Sequence, residues 1–219
     1  MEAGSAREPV RGETARAREA APAATGTTAG WTVADPGPLG LGAFALTTFV
    51  LSMFNAGLVG KGGEPVVLGL ALAYGGLGQL LAGMWEFRTG NTFGAVAFTS
   101  FGAFWLSYWA FVQFFAKDVP AADLGHAVGL YLIAWGIFTA YMFVASLRTT
   151  AIIAAVFFAL AVTFFLLGIG NAGGHTSIVK AGGWAGLVTA ALAWYGSFAA
   201  VTNSTYGRVV LPVRSLSRR

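Results

Sequence analysis

The sequence predicts an all-α integral membrane protein with six transmembrane helices. Two observations carry this. Hydrophobic residues make up 56% of the 219-residue chain and charged residues only 10%, whereas soluble domains carry about 25% charge. The apolar residues also fall into six runs of roughly 20, the length that spans a hydrocarbon core. A mean hydropathy of +0.69 and 31 glycines agree, since glycine is frequent in membrane helices. Short connections between the runs predict antiparallel neighbours.

Residues 1–33 are rich in Ala, Arg, Glu, Thr and Gly and lack an apolar core. That composition predicts a disordered tail. No apolar stretch follows the arginines closely, so a secretory signal is not expected. The first helix is expected near 38–59, with Pro36 and Pro38 at its entry, where a missing N–H had no partner anyway. The second is expected near 65–84 and the third near 95–116. Gly90-Asn91-Thr92 before the third reads as an N-cap, because an Asn or Thr oxygen accepts from free N–H groups. The fourth, fifth and sixth are expected near 125–146, 150–169 and 178–201. Residues 34–212 then form one transmembrane unit, followed by a short basic tail, 213–219. Gly182-Gly183-x-x-Gly186 and the pair Gly78 and Ala82 place small residues four apart. Such spacing lets helices approach closely, within a protomer or between protomers.

Loop charge predicts the orientation. With the N-terminus inside, the cytoplasmic segments hold all 10 arginines and the outer segments all three lysines, Lys61, Lys117 and Lys180. Both termini are then cytoplasmic. The pI of about 9.7 does not point to nucleic acid. The basic residues sit in loops and tails, with no basic-aromatic patch of the kind such proteins carry.

Polar side chains at membrane depth are the informative ones, because they are costly unless they face protein or water. Phe44, Thr48, Ser52 and Asn55 share one face of the first helix. Leu160, Thr163, Leu167 and Asn171 do the same on the fifth. In each, a bulky apolar residue precedes an Asn by 11 positions, about three turns or ~16 Å. Both faces fit a substrate path, and both equally fit interhelical packing, where Ser, Thr and Asn act as glue. Asn91, Thr92, Thr99 and Ser100 add polar groups to the third helix. Three helix N-termini at one end predict a weakly anion-attracting mouth.

Several motifs bear a family resemblance. Asp35-Pro36-Gly37-Pro38-Leu39-Gly40-Leu41 resembles the Asn-Pro-x-Pro-Leu-Gly-Leu signature of the acetate uptake transporter family, the succinate–acetate permeases. Tyr74-Gly75-Gly76, Gly90-Asn91-Thr92-Phe93-Gly94, Phe101-Gly102-x-Phe104-Trp105, Gly170-Asn171 and Tyr206-Gly207-Arg208 follow in the family's order. The resemblance covers about 38–212. It implies six helices around a central pore in each protomer, a homo-hexamer in an inner membrane, and passage of short carboxylates. It further implies an apolar constriction, which maps onto Phe44, Phe101 and Leu160. Two departures stand out: Asp35 replaces the usual Asn, and Phe101 stands where relatives often have Tyr.

The expected function is a transporter or channel for acetate and similar carboxylates, with succinate and a coupled proton left open. A pore-less structural or sensory membrane protein is the main alternative. An enzyme is not expected, because no paired carboxylates lie in the bilayer and no phosphate-binding loop is present. No metal-ligand spacing occurs, and no cofactor is called for. Glu86 and Arg88 are expected to form a local ion pair, with Glu86 a candidate for proton coupling. His126 and His175, near the outer helix ends, read as solvated or interfacial. No candidate path residue is a fixed cation, which predicts weak substrate binding and quick passage.

Overall fold

The structure, a computed structural model, describes Met1 and residues 33–217. Residues 2–32 of the expected tail lie outside the described residues. Six helices are long and apolar enough to cross a membrane: α1 Gly37–Asn55, α2 Lys61–Thr89, α3 Thr92–Asp118, α4 Ala121–Ser146, α5 Ala151–Ala172 and α6 Thr176–Tyr206. Six antiparallel passes return the chain to its starting end. A hydrogen bond of 2.7 Å from Ser197 Oγ to the Pro38 carbonyl ties late α6 to early α1 at that end. It is called the terminal end below, and the other the distal end.

The helix centres match the sequence expectation and the ends do not. α1 stops at Asn55, four residues before the expected 59, because Gly57 adopts φ +76 and turns the chain. A left-handed residue at that position favours glycine. α6 overruns its expected end by five residues to Tyr206, and Gly207 at φ +62 stops it.

Small residues set the interhelical distances. A Cβ on Gly183 of α6 would lie only 2.5 Å from the Asn55 carbonyl carbon of α1. On Gly102 of α3 it would lie 2.6 Å from the Leu80 nitrogen of α2. These are backbone-to-backbone approaches of the kind small residues permit. One wide turn, Ala73–Gly78, interrupts the α-helical bonding of α2. It sets Gly75 against Thr47, whose Oγ1 would lie 2.6 Å from an added Cβ. Such single wide turns are rare and recur at functional sites.

An aromatic core fills the middle of the bundle. Leu41, Phe44, Phe101, Phe104, Phe157, Leu160 and Phe164 belong to one buried cluster. Phe101 is its hub. Its ring centroid lies 5.4 Å from Phe138, 5.9 Å from Phe44 and Phe157, 6.1 Å from Trp135 and 6.4 Å from Phe164.

Candidate functional site

Two cavities enter the bundle from opposite ends. The distal one has a volume of about 810 Å³. Its wall includes Leu51 and Asn55 of α1, Lys61 and Glu64 of α2, Phe104, Ser107 and Tyr108 of α3, Tyr131 of α4, and Leu167 and Asn171 of α5. The terminal one is about 300 Å³. Asp35, Leu41, Glu86, Asn91, Phe98, Thr150 and Phe157 contribute to it.

Between them lies the aromatic core. Along α3 the terminal cavity ends at Phe98 and the distal one begins at Phe104, a rise of about 9 Å. Along α1 the interval runs from Leu41 to Leu51 and along α5 from Phe157 to Leu167, about 15 Å each. Phe44, Phe101 and Leu160 fall inside these three intervals and line neither cavity. Each is at most 4% exposed. The structure therefore closes the space between the cavities with an apolar plug.

The polar residues singled out in the sequence divide into two groups. Asn55 and Asn171 both line the distal cavity, and Asn91 lines the terminal one. Asn55 Oδ1 faces Lys61 Nζ at 3.4 Å, which leaves both of its N–H groups free of a partner among the described residues. Asn171 donates one N–H to the Leu167 carbonyl at 2.7 Å and keeps the other. Thr48, Ser52, Thr92, Thr99, Ser100 and Thr163 line neither cavity. Thr163 Oγ1 lies 3.2 Å from Thr189 Oγ1 of α6 and bonds the Ala159 carbonyl at 2.8 Å. Ser52 packs on Gly186 of α6, and Thr99 on Gly83 of α2. Thr48 Oγ1 is buried without a hydrogen-bond partner among the described residues.

Three differences from the sequence reading concern charge. A cation does line the distal cavity: Lys61, held 3.1 Å from Glu64 Oε2. Its exposure of 60% and its partner keep the local field modest. The expected Glu86–Arg88 pair does not form. Glu86 is 2% exposed and takes a 3.0 Å hydrogen bond from Thr89 Oγ1, while Arg88 is exposed. Residues two apart on a helix do not face each other. The mouth expected to attract anions instead carries two carboxylates, Asp35 and Glu86. Asp35 Oδ1 accepts from the Gly37 N–H at 2.9 Å, and Asn91 Oδ1 from the Gly94 N–H at 3.1 Å. These side chains already occupy N–H groups that a ligand would need.

Sequence reasoning missed the part played by α4. Tyr131 lines the distal cavity, with its hydroxyl 2.7 Å from Ser107 Oγ and 3.1 Å from the Phe104 carbonyl. Trp135 and Phe138 of the same helix pack on Phe101. The signal was present, because Tyr131, Trp135 and Phe138 recur at the i, i+4, i+7 spacing of one helix face.

Known proteins resemble this chain closely. Residues 19–218 match the GPR1/FUN34/yaaH family. Ammonia transport outward protein 2 of Saccharomyces cerevisiae is 48% identical over 176 residues, 78% of this chain. The match spans 62% of the length of that yeast protein. The succinate-acetate/proton symporter SatP of Escherichia coli K12 is 40% identical over 181 residues, 83% of this chain and 95% of SatP. The solved structure of the bacterial acetate channel SatP superposes with a TM-score of 0.78 at 40% identity, covering 83% of this chain and 99% of that one.

Proposed function

We propose that this chain, which belongs to the GPR1/FUN34/yaaH family, carries acetate and related short carboxylates, succinate included, across a cell membrane. The observation that carries the proposal is the arrangement of two cavities, each with a few polar groups in a mainly apolar wall, on either side of an apolar plug. Relatives named as an acetate channel and a succinate-acetate/proton symporter support the same cargo.

A carboxylate entering the distal cavity meets the free N–H groups of Asn55 and Asn171, with Lys61 beside them. An amide NH₂ offers two donors, which suits a two-oxygen acceptor. Beyond Ser52, which packs on α6, Thr48 is the next polar group along that face of α1. The plug of Phe44, Phe101 and Leu160 then opposes a bare ion, because burying an unpaired carboxylate costs far more than a hydrogen bond returns. Apolar constrictions gate by excluding water. The cargo therefore crosses the plug either as the neutral acid, taking a proton with it, or when the plug opens enough to wet. Asn91 belongs to the path at the terminal end. Ser52, Thr99 and Thr163 serve the helix seams, and Thr92 and Ser100 stand aside from both cavities. The assembly is a homo-hexamer with the pore running through each protomer, as the family resemblance implies.

Replacing both amides tests this path. Asn55→Leu/Asn171→Leu keeps the bulk and removes the donors. Acetate uptake falls at least about ten-fold, since each hydrogen bond to a charged group is worth roughly 1.5–3 kcal/mol. Size-exclusion elution of the purified variant stays unchanged. Full uptake in a well-assembled variant assigns the two amides to packing.

The terminal end faces the cytoplasm, by the distribution of arginine and lysine. Arg214→Cys and Lys117→Cys, made singly in this cysteine-free chain, report the orientation. An impermeant maleimide on intact cells labels position 117 and not 214. The reverse pattern contradicts this assignment.

A second reading has one observation behind it. Asp35 and Glu86 line the terminal cavity with no cation lining it among the described residues, which suits a small cation such as ammonium, and one relative is named for ammonia. Uptake of labelled methylammonium beside labelled acetate, each into liposomes containing the purified chain, separates the two: the second reading predicts methylammonium uptake and no acetate uptake.

A further inference from the structure

We propose that residues 207–217 form a releasable strap along the α5–α6 edge of the terminal cavity, and that release of this strap sets access to the path from that end. The inference rests on the transport reading of the cavities but concerns the regulation of one mouth.

The geometry is specific. Gly207 at φ +62 ends α6 and turns the chain back. Asn203, one turn earlier on α6, holds the returning chain. Its Oδ1 accepts from the N–H groups of Val210 and Leu211 at 2.7 and 2.9 Å, and its Nδ2 donates to the Leu211 carbonyl at 2.9 Å. The Tyr195 hydroxyl donates to the Pro212 carbonyl at 2.8 Å. Val213 then forms part of the terminal cavity wall. Beyond it the strap reaches the loop between α4 and α5. The Ala151 N–H donates to the Arg214 carbonyl at 2.8 Å and the Leu216 N–H to the Thr149 carbonyl at 2.9 Å. Thr149 and Thr150 themselves line the cavity. The strap thus runs from the end of α6 to the start of the neighbouring α5, with Val213 in the cavity wall between them.

Its energetics favour release over permanence. No residue of 207–217 is buried, so little apolar surface holds the strap down. What holds it is a handful of hydrogen bonds within reach of water. Segments with few buried apolar contacts and solvent-accessible backbone bonds open at low free energy. The bond between Ala151 and Arg214 satisfies one of the first N–H groups of α5, and water satisfies that group as well when the strap lifts.

A reversible lock tests the strap. Thr150 and Ser215 face each other in an antiparallel backbone bridge. Residues so paired have Cα atoms about 4.5–5.5 Å apart, within the span of a disulfide. The chain has no cysteine of its own, so Thr150→Cys/Ser215→Cys forms one bond only. Oxidised protein in liposomes takes up acetate about ten-fold more slowly than the same protein after reduction, because the lock removes the open population. Equal rates in the two states overturn the proposal.

A second variant needs no cysteine. Asn203→Ala removes three strap bonds, and loss of even one raises the open population about five-fold. Unchanged or slower uptake overturns the proposal. A labelling readout is independent of transport. Ala200 lines the terminal cavity, and in detergent Ala200→Cys is modified by maleimide faster with Asn203→Ala than without it. Equal labelling rates overturn the strap. If the parent chain moves no acetate, the transport reading fails while this labelling still decides whether the strap opens.

Discussion

Leu160→Ala protein moves succinate faster relative to acetate than the parent chain does. Leu160 lies within the plug at 4% exposure, in one cluster with Phe44 and Phe101. Removing its branched end opens room in this buried apolar cluster without adding a polar group. Succinate, the longer acid, gains more from the extra room than acetate. A differential barrier change of about 1 kcal/mol gives about a five-fold change in the flux ratio. The substitution also destabilises the fold, since buried Leu→Ala changes cost roughly 2–5 kcal/mol. The ratio of the two fluxes from one preparation cancels differences in the amount of folded protein. An unchanged or lower succinate-to-acetate ratio counts against the plug as the selective level.

Gly183→Leu yields no assembled protein. An added Cβ at Gly183 meets the backbone of Asn55 and Ala56, not the flexible end of a side chain. Overpacking a well-filled interior costs typically about 1–3 kcal/mol and occasionally more, and rigid backbone on the opposing side puts this position at the upper end. The same seam carries Gly186 against Ser52, and the adjoining α5–α6 contact carries Thr163 against Thr189. Separation of α1 from α6 also displaces Asn55 from the distal cavity. The check is the size-exclusion profile and thermal melting of the purified variant beside Gly182→Ala. A monodisperse Gly183→Leu protein with parental melting contradicts the account of the seam.

The six helices were legible because membrane depth imposes a length and an apolar content that sequence records directly. The helix ends were less so. Gly57 and Gly207 stop helices by their backbone conformation, and other glycines of this chain, Gly102 and Gly183 among them, sit inside helices as packing surfaces. Sequence alone does not separate these roles. Phe44, Phe101 and Leu160 stand out only through the family resemblance, and the fold gathers them into one cluster. Their neighbours Trp135 and Phe138 come from α4, whose spacing carried no polar signature to attract notice. Asn55 and Asn171 share a depth because both stand 11 residues beyond a plug residue on parallel helices, which is arithmetic a sequence permits. Ser52 and Thr163 share those faces, yet the helix opposite them is α6, with Gly186 and Thr189 at the contact. Which neighbour a helix face meets is a tertiary fact, so the spacing that finds both kinds of residue cannot sort them. Glu86 shows the same limit. Its neighbour in sequence, Arg88, is exposed, and its partner is Thr89, one helical turn along.

Uptake of isotope-labelled acetate into liposomes containing the purified chain tests the central claim most directly. Neutral acetic acid crosses lipid unaided, so the comparison is with protein-free liposomes at a pH where nearly all of the acid is ionised. The account predicts saturable uptake well above the lipid background, reduced by unlabelled succinate. Uptake equal to that of protein-free liposomes, from protein that remains assembled, contradicts it.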